Sequence, residues 1–179
     1  GLDLSDELQL AELDTELNQY FAKVYTAEPL LWDYKVSERE AKQVRNPAKQ
    51  NDVVGFVSNA TLAEVDVAVS NALRAFPEWS ATTPQERAAR IIKFANLMEL
   101  NYYEMLHIVV REAGKTLSNG IAEVREAVDF CRYYAAQVAN EFDNTTHQAI
   151  GPVVCISPWN FPLAIFVGEV ISSLAAGNT

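Results

Sequence analysis

The sequence predicts an α/β fold, of which this chain holds a mostly α-helical part with a few short strands and the first strand–helix unit of a parallel sheet. Apolar residues recur at helical spacing from Thr61 to Phe142. The run Pro152–Ile156 is short and apolar, as in strands that parallel sheets bury on both faces. A loop and a nearly uncharged helix, Leu163–Ala176, follow it, which completes half of a β-α-β unit.

The composition indicates a globular protein with small-molecule rather than nucleic-acid partners. Of its 179 residues, 49% are hydrophobic and 21% are charged, a balance typical of folded domains. The net charge of -10 argues against binding to phosphate backbones. The two cysteines and two histidines are scattered and lack the short spacing of a closed zinc site, so no metal is expected. The first residues are acidic and do not predict a signal peptide, and prolines interrupt the uncharged run Ala149–Gly168, so we predict a cytoplasmic protein without a transmembrane segment.

Residues 1–34 are acidic and predict an amphipathic linker helix that Pro29 ends. Its apolar residues recur at helical spacing: Leu10, Leu13, Leu17, Phe21 and Val24. Such a helix either docks on the body of the domain or links it to a preceding domain. Beyond it the charge changes sign, Asn46–Pro47 signals a turn, and Val53–Val57 predicts a strand.

Four helices are predicted before Phe142. Thr61–Glu64 and Thr83–Glu86 have the spacing of a capping box, and each begins a helix. Pro77 is expected to stop the first of these, and Gly114 to stop the third helix. The first is predicted to face inward with Leu62, Val65, Val69, Leu73 and Phe76. The fourth begins at Ser118 and has an inward stripe of Ile121, Val124, Val128, Cys131, Ala135 and Val138.

The loop Ser157–Pro162 follows the predicted buried strand, at the end where open α/β sheets place their ligand crevice. Its two prolines restrict the backbone on either side of Trp159 and Asn160. The amide of Asn160 offers two N–H donors and can stabilise a developing oxyanion. A plain structural loop is the alternative interpretation.

Other chemically suggestive residues are interpreted as structural. Gly114–Thr116 resembles the end of a phosphate loop, but the first glycine of that motif is absent. Cys131 lies on the inward stripe of a helix and Cys155 in the predicted strand, so neither is expected to be a nucleophile. His107 and His147 have no evident partner in the sequence.

Taken together, these motifs resemble those of the aldehyde dehydrogenase superfamily. The segments that carry the resemblance are Asn46–Ala48, Val54–Gly55, Phe76 with Trp79, Glu86–Ala88, Glu112–Thr116, Arg132–Ala135, Gly151–Pro162 and Leu174–Thr179. The resemblance implies that residues 35–150 are the helical N-terminal part of the dehydrogenase domain. Residues 151–179 would begin its NAD-binding, Rossmann-type unit.

The resemblance also implies a role for each residue of the loop. Asn160 matches the family's oxyanion-hole asparagine, which stabilises the alkoxide formed when a cysteine thiolate attacks the aldehyde. Phe161 matches a wall of the aldehyde tunnel. Four positions match those that lie along NAD: Ile156, Ser157, Pro158 and Trp159. In this chemistry hydride passes to NAD, and water then hydrolyses the thioester.

Within the superfamily the sequence is most similar to the L-glutamate γ-semialdehyde (1-pyrroline-5-carboxylate) dehydrogenase domain of bacterial bifunctional enzymes of proline catabolism. In those enzymes a flavin-dependent proline dehydrogenase precedes this domain, and Ala27–Leu31 resembles the connection. FAD is implied only if the longer protein carries that first domain. Glu123 matches a glutamate that reaches the substrate pocket, and a solvated surface charge is the alternative.

The resemblance further implies that this chain is an N-terminal fragment of the domain. The family's nucleophilic cysteine, general-base glutamate and ribose-binding lysine would lie beyond Thr179, so the isolated chain is expected to be inactive. Its partners would be the rest of the same polypeptide and, because unpaired strands and exposed apolar surface promote association, a second copy in a homo-oligomer. Two alternatives remain: another semialdehyde dehydrogenase, for example for succinate semialdehyde, and a non-catalytic helical scaffold or oligomerisation module.

Overall fold

The computed structural model describes residues 2–179. They form six helices, three of which pack together in a core, and a small sheet of three strands. In chain order the elements are α1 (Glu7–Asn18), β1 (Tyr25–Ala27), β2 (Lys42–Asn46), β3 (Lys49–Val57), α2 (Leu62–Ala81), α3 (Pro84–Leu100), α4 (Tyr102–Ala113), α5 (Leu117–Glu141) and α6 (Ala164–Ala175). Helix α4 contacts α1, α5 and the sheet, so it joins the strands to the helices. Within the described residues, no helix has the length and apolar character needed to cross a membrane.

The sheet has the order β1-β3-β2, with β1 parallel and β2 antiparallel to β3. The predicted strand Val53–Val57 is confirmed as the second half of β3. The predicted turn joins β2 to β3, and the side-chain oxygen of Asn46 accepts a hydrogen bond from the N–H of Ala48 at 2.9 Å. Glycine is required at position 55, because a Cβ there would lie 2.3 Å from the carbonyl oxygen of Tyr25 in β1.

The helix boundaries follow their predicted caps closely. Thr61 and Glu64 form a capping box at the start of α2. Thr83 accepts a hydrogen bond from the N–H of Glu86 at 3.2 Å and begins α3. Gly114, with φ of 65°, ends α4 in the left-handed conformation.

Helix α5 lies at the centre of the core. Its whole predicted stripe is buried. The four later residues of the stripe pack with α3 and α6 in one apolar cluster: Val128, Cys131, Ala135 and Val138. Thr116 caps this helix, which therefore begins at Leu117 rather than Ser118. A second cluster packs Leu13 of α1 against Leu106 of α4 and Val124 of α5. Full burial of a side chain such as leucine or valine contributes about 1.5–3 kcal/mol, so both clusters stabilise the fold.

Helix α1 is shorter than predicted. It ends at Asn18, and the helical spacing of Phe21 and Val24 is misleading because both side chains are exposed. The chain instead forms β1, where its backbone N–H and C=O groups find partners on β3 that a frayed helix end would lack. The division of the chain at residues 34 and 150 stays a prediction.

Helix α2 departs from prediction in two ways. It continues through Pro77 to Ala81, and its last turn is held by Trp79, whose indole N–H donates to the carbonyl oxygen of Leu174 at 3.0 Å. Its predicted inward face was also wrong. Leu62, Val65, Val69 and Leu73 are exposed, and only Phe76 is partly buried. No helix or strand of residues 2–179 packs on that face.

The segment Pro152–Ile156 is extended but is not a strand in this structure, so the prediction of a buried strand is wrong for this chain. Val154 is 78% exposed and Ile156 is 82% exposed. The N–H of Val153 does donate to the carbonyl oxygen of Thr179 at 2.8 Å. A strand buried on both faces needs neighbouring strands, and residues 2–179 supply none at this place.

The helix that follows was predicted correctly. It is α6, and it ends at Ala175, two residues before Gly177, whose φ is 91°.

Candidate active site

The loop Ser157–Pro162 leads from the extended segment into α6 and is exposed. Trp159 is 88% exposed, and Asn160 is exposed as well. The Asn160 side chain makes no hydrogen bond to any other residue in the range 2–179. Its two N–H donors are therefore available to an external acceptor, as the predicted oxyanion role requires.

The segment that enters the loop is tethered to the end of the described chain. Asn178 is buried, and its side-chain oxygen accepts hydrogen bonds from the N–H groups of Ile150 at 2.8 Å and Gly151 at 3.2 Å. Gly151 has a φ of 120°, which favours glycine. Together with the bond between Val153 and Thr179, this tether fixes the path of the backbone just before the residues predicted to bind NAD.

Glu123 is fully buried and caps α6. Its Oε1 accepts hydrogen bonds from the N–H of Leu163 at 2.9 Å and the N–H of Ala164 at 3.3 Å. The N-cap residue of α6 is Leu163, whose apolar side chain cannot accept a hydrogen bond from the helix N-terminus. The carboxylate of Glu123 supplies the missing acceptor, and its negative charge lies at the positive end of the helix dipole. The alternative of a solvated charge is thus wrong, while a role of Glu123 toward substrate stays a prediction.

Lys115 connects Glu123 to the loop. Its Nζ lies 2.5 Å from Oε2 of Glu123 and 3.9 Å from the centroid of the Phe161 ring. The structure thereby brings together the two residues predicted to contact substrate, with a lysine between them. Lys115 was not predicted as a site residue, because the sequence showed it only within a rejected phosphate-loop motif and within the segment Glu112–Thr116 of the family resemblance. The signal was the left-handed Gly114, which turns the chain from α4 toward α5 and sets Lys115 inside that corner.

A cavity of about 640 Å³ lies between α4 and the loop. Trp159 and Pro162 form part of its wall on the loop side. Most of its other lining is apolar and comes from Val44, Pro47, Met105, Ile108, Val109, Ala113 and Leu163. Its volume is in the range of small-molecule sites, so the loop borders space that an organic ligand can occupy.

The cysteines and histidines are placed as structural residues. Cys131 is fully buried, and burial raises the pKa of its thiol to about 11, so it stays protonated at neutral pH. Cys155 is partly buried in the extended segment. His107 is buried against aromatic rings, and His147 stacks on Phe142 with 4.3 Å between ring centroids. Across residues 2–179, His, Cys, Asp and Glu side chains form no group of three that could hold a metal ion.

Comparisons with known proteins find relatives along the whole chain. The aldehyde dehydrogenase family model matches residues 34–179. The chain is 53% identical over 179 residues to the bifunctional protein PutA of Klebsiella aerogenes, covering 100% of this chain and 14% of that protein. It is 35% identical over 176 residues to 1-pyrroline-5-carboxylate dehydrogenase 2 of Bacillus subtilis, covering 91% of this chain and 34% of that protein.

A solved structure shows the same fold. The 1-pyrroline-5-carboxylate dehydrogenase from Thermus with bound NAD superimposes with a TM-score of 0.87 and 29% identity, covering 100% of this chain and 38% of that one. The described helices and small sheet thus correspond to part of an α/β dehydrogenase domain. Since the family model covers nearly the whole chain beyond α1 and β1, the chain belongs to the aldehyde dehydrogenase family.

Proposed function

We propose that this chain supplies the oxyanion-binding loop of a longer NAD-dependent enzyme, one that oxidises L-glutamate γ-semialdehyde to glutamate in proline catabolism. The observation that carries the proposal is the free, exposed amide of Asn160 at the end of a tethered segment, in a chain of the aldehyde dehydrogenase family. The similarity to PutA and to 1-pyrroline-5-carboxylate dehydrogenases supports the substrate. The chain spans only 14% and 34% of the lengths of those relatives.

The amide of Asn160 has the chemistry that aldehyde oxidation needs. When a nucleophile adds to the carbonyl carbon, negative charge develops on the aldehyde oxygen. An N–H donor aimed at that oxygen lowers the barrier by about 3 kcal/mol. Cys131 cannot be the nucleophile, because its thiol is buried and protonated. We expect the nucleophile to come from outside residues 2–179.

The residues ahead of Asn160 fit a nucleotide cofactor. Ile156 and Trp159 expose large apolar side chains on a backbone that is tethered upstream, and apolar surfaces of this kind cover the rings of bound cofactors. Ile156, Ser157, Pro158 and Trp159 would hold NAD, which accepts a hydride from the substrate carbon when it is bound. FAD enters the proposal only if the longer protein also carries a proline dehydrogenase domain.

Kinetics on two aldehydes test the proposal. We expect the full-length protein to reduce NAD with L-glutamate γ-semialdehyde, measured as NADH absorbance. The value of kcat/KM should exceed that for succinate semialdehyde by at least tenfold, because succinate semialdehyde lacks the amino group that a matched site would bind, and such losses range from roughly 10-fold upward. The isolated 179-residue chain should reduce no NAD.

Three kinetic results would contradict the proposal. Absence of NAD reduction by the full-length protein with either aldehyde would refute the enzymatic proposal and favour the scaffold alternative. Equal kcat/KM values, or a preference for succinate semialdehyde, would reject the assigned substrate and leave only the reaction class. Turnover by the isolated chain would show that residues 1–179 contain a nucleophile that the proposal places elsewhere.

A further inference from the structure

We infer that Lys115 is a positioning residue that holds the Asn160 loop in its reactive geometry. This inference rests on the proposed function, since it assigns the loop a reaction to serve. Lys115 touches the loop at Phe161, the residue next to Asn160, and it pairs with Glu123, which caps the helix that the loop enters. Lys115 therefore contacts the chain after Asn160 at two places, directly at Phe161 and through Glu123 at the start of α6.

The burial of Lys115 indicates that its contacts hold it firmly. Its side chain is 12% exposed, and lysine is rarely buried unless its charge is paired. The partner carboxylate of Glu123 is wholly buried, so bulk water cannot solvate its charge. Removing one member of such a pair leaves the other uncompensated, which makes this contact much more consequential than a surface ion pair.

The contact with Phe161 extends this hold into the loop. A cation above an aromatic face is attracted to it, and the attraction grows when water is excluded. Nζ lies 3.9 Å from the ring centroid of Phe161, so Lys115 restricts the movement of this partly exposed ring. Because Phe161 directly follows Asn160 in the chain, a ring that is fixed in place limits where the Asn160 amide can point.

The backbone of Lys115 is itself held in place. Gly114 adopts a φ of 65°, and a Cβ on it would lie 2.7 Å from the ring of Pro47. The corner between α4 and α5 is therefore packed against the turn between β2 and β3. Lys115 thus reaches Glu123 and Phe161 from a packed backbone corner, the kind of support that holds functional groups within about 0.5 Å of their working geometry.

Three variants of the full-length enzyme test the inference. Lys115→Met removes the charge and keeps the length of the side chain, Lys115→Arg keeps the charge, and Lys93→Met is a matched control on the exposed surface of α3. We expect Lys115→Met to lower kcat roughly 10- to 100-fold, the size of loss that a small misplacement of a reacting group causes. The KM for NAD should stay unchanged. Lys115→Arg should recover most of the loss, and Lys93→Met should match the wild type.

A double-mutant comparison separates positioning from general damage. In an Asn160→Ala background there is no amide left to position, so Lys115→Met should cost less than about threefold in kcat. A loss that is equally large with and without Asn160 would overturn the inference, as would a change confined to KM. If Lys115→Met does not fold, Lys115→Gln keeps a donor for Glu123 without the charge, and the same criteria apply.

Amide hydrogen exchange provides a readout that needs no activity. In the full-length protein, the peptide spanning residues 157–165 should exchange faster in Lys115→Met than in wild type, while Lys93→Met leaves it unchanged. If wild type reduces no NAD, the proposed function fails, and the exchange still decides whether Lys115 holds the loop. If wild type is active and neither exchange nor kcat responds to Lys115→Met, the inference alone fails.

Discussion

Replacing Asn160 with alanine is expected to lower kcat for aldehyde oxidation by about 10²- to 10³-fold, the loss typical of removing one oxyanion donor. The KM for NAD should stay within roughly twofold, because the interaction is made only when charge develops on the aldehyde oxygen. Asn160→Asp should lose at least as much, since it has the same shape but places a negative charge beside the oxyanion. Steady-state kinetics of the full-length protein with L-glutamate γ-semialdehyde measures both parameters.

Asn119→Ala is the matched control for this pair of variants. Asn119 is also exposed, and it lies in the first turn of α5, away from the loop in sequence. Its loss should leave kcat unchanged. Comparable losses in kcat and in NAD affinity for Asn160→Ala would show that the amide binds cofactor or supports the loop, and the oxyanion role would then be abandoned.

Replacing Arg87 with methionine is expected to cause a large loss of stability. Arg87 is 1% exposed and donates to the carbonyl oxygen of Ala175 at 2.9 Å, that of Thr82 at 2.6 Å and the side-chain oxygen of Asn144 at 3.1 Å. It joins the C-terminal ends of α2 and α6 to the segment after α5. No carboxylate of the described residues pairs with it, and burial lowers its pKa.

The expected cost follows from the groups that Arg87 leaves behind. A hydrogen bond to a charged donor contributes about 1.5–3 kcal/mol, and a buried carbonyl without a partner costs a similar amount, so we expect Arg87→Met to lower the free energy of unfolding by about 3 kcal/mol or more. For a chain of this size that corresponds to roughly 10 °C in melting temperature. Thermal unfolding followed by circular dichroism measures the change.

Arg125→Met provides the comparison, because Arg125 is exposed and pairs with Asp129 one turn along the same helix. Exposed pairs of this kind contribute about 0.5 kcal/mol or less, so its melting temperature should barely move. A similar small change for Arg87→Met would show that water replaces the guanidinium at the helix ends. The three carbonyl and amide acceptors would then be satisfied without Arg87.

The features that the sequence predicted well depend on residues within one or two turns. The capping box of Thr61 and Glu64 and the left-handed stop at Gly114 are local, and both are present. The buried stripe of α5 repeats so regularly that its burial needs no knowledge of what it packs against. The loop that carries Asn160 is also local, since two prolines and a preceding apolar segment define it.

The features that it predicted poorly depend on partners distant in the chain. Whether Pro152–Ile156 forms a buried strand is decided by neighbouring strands, and the apolar face of α2 is buried only if something covers it. The strand at Tyr25–Ala27 depends on the room that Gly55 leaves. The contacts of Lys115 with Glu123 and Phe161 join three separate segments, and no sequence periodicity predicts them.

Glu123 lies on the central helix α5, and its carboxylate accepts hydrogen bonds from the first backbone N–H groups of α6. The exit of the loop is therefore anchored to the buried helical core. We therefore expect the position of Asn160 to be lost only when the helical core unfolds cooperatively. Thermal inactivation and thermal unfolding should then occur at the same temperature.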